Sequence, residues 1–162
     1  MALELYRIDD RLIHGQVVVG WGQPLDLRFI VLVDDEVAAS DWEQELYRMG
    51  VPPNMDVYFD TVESAAANLE RYQYDERRGL LLTGDIGTMT RLVDATDDIR
   101  RVNLGGIHHK PGRTQRLRYV FLAPAEETEL RALESRGLDV TAQDVPAARP
   151  VPLDELLSGN GS

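Results

Sequence analysis

The 162-residue chain contains no cysteine. Disulfides, thiolate metal sites and a cysteine nucleophile are therefore excluded. Lysine is almost as scarce. Lys110 is the only one, so a Schiff base or a phosphate-loop lysine has a single candidate, and no G-x-x-x-x-G-K-[ST] sequence surrounds it. Positive charge is in deficit, with 17 basic against 28 acidic residues and a net charge of −11. Such a surface repels nucleic-acid backbones and anionic lipid, so neither is an expected partner. No uncharged apolar stretch approaches the ~20 residues of a membrane-spanning helix. The start, MALELYRIDD, lacks the basic region and apolar run of a signal peptide, so a cytoplasmic protein is expected.

What is present is alternation. Leu3–Ile8, Arg28–Val33, Met55–Phe59, Gly79–Thr83, Arg101–Leu104 and Leu117–Leu122 read as strands, and Asp139–Asp144 as an edge strand. Between them Gln16–Gly22, Ser40–Met49, Thr61 to about Tyr72, Ile86–Ala95 and Pro124 to about Arg136 read as helices, with Thr61 and Asp85 as caps. Val145–Pro152 reads as a connector and Leu153–Leu157 as a last helical turn. This pattern predicts a single α/β domain over residues 1–157, an open, mostly parallel twisted sheet with helices on both faces and room for one antiparallel edge strand. Residues 158–162 read as a disordered tail. Ligands of such sheets bind beyond the C-terminal strand ends, where strand order reverses. The loops 9–15, 33–36, 83–87 and 105–114 are thus the places to search.

Three histidines occur, His14, His108 and His109. His14 lies in RIDDRLIHGQV, where the first strand gives way to the first helix. Neutral imidazole is a competent nucleophile near neutral pH. Arg11, three residues earlier, is spaced to fork onto phosphate oxygens. Gly15 lets an anion approach the backbone, and Gly15, Gln16 and Val17 supply N–H groups at a helix start. Asp9 and Asp10 are candidates to accept a hydrogen bond from the histidine or to orient Arg11. These residues suit reversible phosphorylation of His14, and on chemistry alone they suit a structural histidine equally well. His108-His109 is a poor metal pair, because adjacent loop residues seldom aim both rings at one ion. It reads as a loop at the mouth of the site, with Lys110 and Arg113 as a small basic rim and Gly105-Gly106 touching the phosphate. Trp21 and Trp42 read as packing residues.

RIDDRLIHGQV resembles the signature of the IIB subunits of the mannose/fructose/sorbose family of the bacterial phosphotransferase system. VNLGGIHHKPG, with the strand expected after it over Thr114–Leu122, and LVDDEVAASDWEQELYRMGVPP resemble further segments of that family, in order from Leu3 to Leu157. The resemblance implies that a phosphorylated IIA protein, expected to be a separate chain, passes its phosphoryl group to Nδ1 of His14. The group then goes to a sugar entering through membrane IIC/IID subunits. It also implies Arg11 as the residue that steadies the phosphohistidine, Asp10 as an orienting group, and no metal or cofactor, while Gly15 and Gln16 stay at the phosphate on the chemistry given above. A homodimer is compatible with it. VVVGWG departs from the family by being apolar early in the helix, though it keeps Trp21. A regulatory phosphorelay that moves no sugar is the alternative. A nucleotide-binding module is disfavoured, since no G-x-G-x-x-G follows the first strand.

Overall fold

The structure is a computed structural model that describes residues 3–158. Seven strands form one sheet: β1 (Leu3–Ile8), β2 (Leu27–Val33), β3 (Asp56–Asp60), β4 (Arg78–Thr83), β5 (Arg101–Leu104), β8 (Asp139–Ala142) and β9 (Val151–Pro152), in the order β3-β2-β4-β1-β5-β8-β9. All neighbours are parallel except β8 and β9. The central strands are continuous apolar runs because both faces are covered. Phe29, Val31 and Leu81 face one core, and Ile30, Leu32, Leu80 and Leu82 face the other. Each of these buried side chains contributes about 1.5–3 kcal/mol relative to exposure.

A π-helix (Gln16–Trp21), a single helical turn α1 (Asp35–Ala38) and α2 (Asp41–Met49) cover one face. α3 (Val62–Gln73), α4 (Ile86–Asp94), α5 (Pro124–Ser135) and α6 (Leu153–Leu156) cover the other. Caps fall where the sequence places them. Thr61 accepts from Ser64 N at 3.0 Å and Asp85 from Thr88 N at 2.6 Å.

Three expectations are corrected and one is refined. Leu117–Leu122 is not one strand: β6 (Thr114–Leu117) and β7 (Val120–Leu122) fold back as an antiparallel hairpin outside the main sheet, turning at Arg118-Tyr119. Asp139–Asp144 supplies β8, which is paired on both sides; the antiparallel edge is β9, inside the segment read as a connector. The first helix bonds with π-type spacing, Gly22 N donating to Val17 O at 3.0 Å. Trp42 is 67% exposed, with Leu46 and Met49 beside it in helical spacing, because no residue of α2 is buried. Gln44 ties α2 down through the carbonyls of Val37 and Ala38. The expected tail lies outside the described residues from position 159 onward.

Strand β1 sits between β4 and β5. The chain leaves β1 toward β2 on one side and leaves β5 toward β8 on the other. Their diverging C-terminal loops open the crevice expected at such a switch point.

Candidate functional site

The loop after β1 stays pinned to both neighbours. Asp9 N donates to Thr83 O at 2.9 Å, Asp10 N to Gly106 O at 2.9 Å, and Gly105 N to Ile8 O at 2.7 Å. A tight turn follows, with Leu12 N donating to Asp9 O at 3.0 Å and Leu12 itself at φ +58°. A left-handed leucine costs roughly 1–2 kcal/mol, a strain typical of functional loops. Gly84 makes room for it, since a Cβ there would lie 2.8 Å from Leu12 Cδ2.

This turn carries His14 over a buried ion network. Asp9, fully buried, accepts from Arg11 N at 3.1 Å, Arg11 Nε at 3.2 Å and Arg11 Nη2 at 3.2 Å. From below, Arg7 Nη2 reaches the same carboxylate at 3.5 Å. His14 Nε2 lies 3.9 Å from Asp9 Oδ2, and Nδ1 faces Leu12 O at 2.8 Å. Burial pushes the Asp9 carboxyl up, but hydrogen bonds from Arg11 and the charge of Arg7 outweigh it and hold Asp9 below the usual carboxylate range. Burial lowers the Arg7 guanidinium from its ordinary value, and Asp9 opposes that.

Gln16 braces Arg11 from the side. Its Oε1 accepts from Arg11 Nη2 at 3.0 Å, while its Nε2 donates to Asp144 Oδ1 at 2.9 Å. The Asp144 carbonyl also takes Trp21 Nε1 at 3.1 Å, so the loop after β8 locks onto the π-helix. The amides of Gly15, Gln16 and Val17 donate to no protein acceptor among the described residues. His14, Arg11, Gly15 and Gln16 therefore converge on one patch, beside a loose set of backbone donors.

Asp10 lies elsewhere. It accepts from His108 N at 2.7 Å and from the His108 ring Nδ1 at 2.5 Å, tying the loop after β5 to the loop after β1. The carboxylate beside His14 is Asp9. Arg113 is not a free rim charge: it forks onto Glu126 at 2.9 and 2.8 Å and donates to His108 O at 2.7 Å. His109 packs edge-on against Phe121. Lys110 lines a cleft of about 250 Å³ with Asp10, Asp34 and Asp85. Among the described residues no group of three or more His, Asp or Glu is arranged to hold a metal ion.

Gly105 and Gly106 have a steric reason. A Cβ at Gly105 would lie 2.3 Å from Arg7 Nη2 and 2.7 Å from Asp9 Oδ2; one at Gly106 would lie 3.3 Å from Arg11 Nε. Sequence reasoning passed over Arg7. Its signal was available: a charged residue inside the apolar run of β1 must find a partner if that strand is central.

Residues 3–162 match the family model described as the sorbose subfamily IIB component of the phosphotransferase system. The chain is 34% identical over 145 residues to the N-acetylgalactosamine-specific phosphotransferase enzyme IIB component 1 of Escherichia coli (strain K12), covering 88% of this chain and 90% of the relative. It is 30% identical over 158 residues to the mannose-specific EIIAB component of the same strain, covering 98% of this chain and 49% of the relative, so it spans about half of that protein. The crystal structure of the IIBSor domain of the sorbose permease from Klebsiella pneumoniae superposes with a TM-score of 0.86 at 29% identity, covering 100% of both chains. Family model, sequence relatives and fold agree, and the chain belongs to the sorbose-subfamily IIB components of the phosphotransferase system, which are phosphotransferases.

Proposed function

We propose that residues 1–157 form a cytoplasmic phosphocarrier domain that accepts a phosphoryl group on His14 from a phosphorylated IIA protein. It hands the group to a sugar delivered by membrane IIC/IID subunits. The observation that carries this reading is that Arg11 and His14 meet the same Asp9 carboxylate, with Arg11 also held by Gln16 and still partly open to solvent. That guanidinium, with the amides of Gly15 and Gln16, is suited to three phosphoryl oxygens.

In the transfer, a lone pair of His14 bonds to phosphorus as the P–N bond to the donor histidine breaks, its electrons returning to the donor ring. The bonds exchanged are alike, so the protein supplies position and charge neutralisation. Transfer at Nδ1 requires the ring to turn away from the Leu12 carbonyl, to which Nδ1 donates at 2.8 Å, and to carry its proton on Nε2 instead, so that Nδ1 holds the lone pair. No residue of this chain is assigned to select the sugar. Among the described residues no helix is long and apolar enough to cross a membrane, in keeping with a carrier that meets its membrane partners from one side.

Mass spectrometry after incubation with phosphorylated IIA tests the proposal. One added phosphate is expected, on His14, and none in His14→Ala. A phosphate on another residue, or full labelling of the alanine variant, overturns it.

A further inference from the structure

Arg7 is buried at 0% exposure in a central strand, beneath the loop that carries His14, and no phosphoryl group could reach it. It donates to Asn103 Oδ1 and to Gln143 O at 2.9 Å, and its guanidinium carbon lies 4.8 Å from the centroid of the Trp21 ring. The carboxylate it meets is that of Asp9, which Arg11 also holds. One negative charge is thus shared between two guanidinium groups of different exposure. Arg7 is walled in; the Arg11 side chain is 35% exposed.

This inequality matters once a phosphoryl group arrives. Arg11 is the cation able to turn toward it, and in turning it gives up two side-chain hydrogen bonds to Asp9. A fully buried carboxylate left without a cation, beside a new anion, is among the costliest arrangements a protein interior can hold. With Arg7 underneath, Asp9 is never left in that state. The Arg7–Asp9 separation of 3.5 Å leaves room to shorten as Arg11 departs. The space over this pair is kept clear by Gly105, whose Cβ would strike both partners.

We infer that Arg7 is a positioning residue for phosphoryl transfer: it is the fixed counter-ion of Asp9, and so frees Arg11 to move from Asp9 to the phosphoryl group on His14. The inference rests on the phosphocarrier reading above.

The test measures the rate of His14 labelling by phosphorylated IIA in wild type, Arg7→Met, Arg7→Lys, Asp9→Asn and the double variant Arg7→Met/Asp9→Asn, with circular dichroism to verify folding. Arg7→Met is expected to slow labelling on the order of a hundredfold, as loss of a preorganised charge in a closed site does. Arg7→Lys, which keeps the charge, is expected to recover most of that rate. The double variant, with no buried carboxylate to strand, is expected to label within roughly tenfold of Asp9→Asn alone. A purely structural arginine predicts otherwise, since Asp9→Asn would not repair lost packing. The inference is overturned if Arg7→Met labels at the wild-type rate, if lysine is no better than methionine, or if the double variant is no faster than Arg7→Met. Should Arg7→Met fail to fold, the lysine and double variants decide alone. If wild type itself is not labelled on His14, it is the phosphocarrier reading that fails; if wild type is labelled and the Arg7 variants match it, only the Arg7 inference does.

Discussion

Two loops leave the same edge of the sheet, one after β1 and one after β5, and each carries histidine. Under His14 lies a chain of charge, Arg7–Asp9–Arg11, buried at Arg7 and Asp9 and open at Arg11, with both glycines of the neighbouring loop giving it space. His108 and His109 have no such foundation. The His108 ring is 62% exposed, bonded to Asp10 at the surface, and His109 leans on Phe121. A histidine can be placed at a crevice by topology alone. On the proposed reading, what sets the His14 position apart from the other two is the counter-charge beneath it, fixed before any ligand arrives.

The contrast is tested most severely at Arg11. Arg11→Ala is expected to leave the fold intact, because the side chain is partly exposed, and to slow labelling of His14 by on the order of a hundredfold. An unchanged rate would erase the distinction between the two loops. Next comes Gly105→Ala. Crowding Arg7 and Asp9 should cost about 1–3 kcal/mol in chemical denaturation and depress labelling with it. The Asp9 carboxyl is held below its ordinary value of 3.8, so the folded protein binds that proton less readily than the unfolded chain does. Its stabilisation is complete above roughly pH 5 and is lost as pH falls through the folded value. Asp9→Asn should therefore flatten the acid limb of a stability–pH curve, whereas a limb of unchanged slope would show that Asp9 is not held so. The smallest effects are expected across the crevice. Asp10→Asn, which weakens the tie to His108, should cost about 1 kcal/mol and a few-fold in labelling rate. His109→Ala should shift stability by under about 1 kcal/mol and leave labelling alone.

Most of the architecture was legible because buried parallel strands write themselves as apolar runs and helix starts carry cap residues. RFIVLV and GLLLT were visible as β2 and β4, and Thr61 and Asp85 as caps. The hairpin β6–β7 was not, since nothing in its local pattern marks a reversal at Arg118-Tyr119. Trp42 misled because a large aromatic reads as a packing residue, whereas it stands on a helix that buries none of its residues. At the site, the spacing of Arg11, His14, Gly15 and Gln16 pointed to one patch, and the structure brings them together. Whether Asp9 or Asp10 faced the histidine could not be read from adjacent acids. That choice depends on which one points down between β1 and β5 and which turns outward to the next loop.

Strand β9 has a consequence for assembly. It is two residues long and ends in Pro152, which has no N–H to offer a further strand. The sheet edge is blunted on that side against recruitment of another chain's backbone. Self-association of two copies on that side is therefore expected to rest on side chains rather than on a continued sheet.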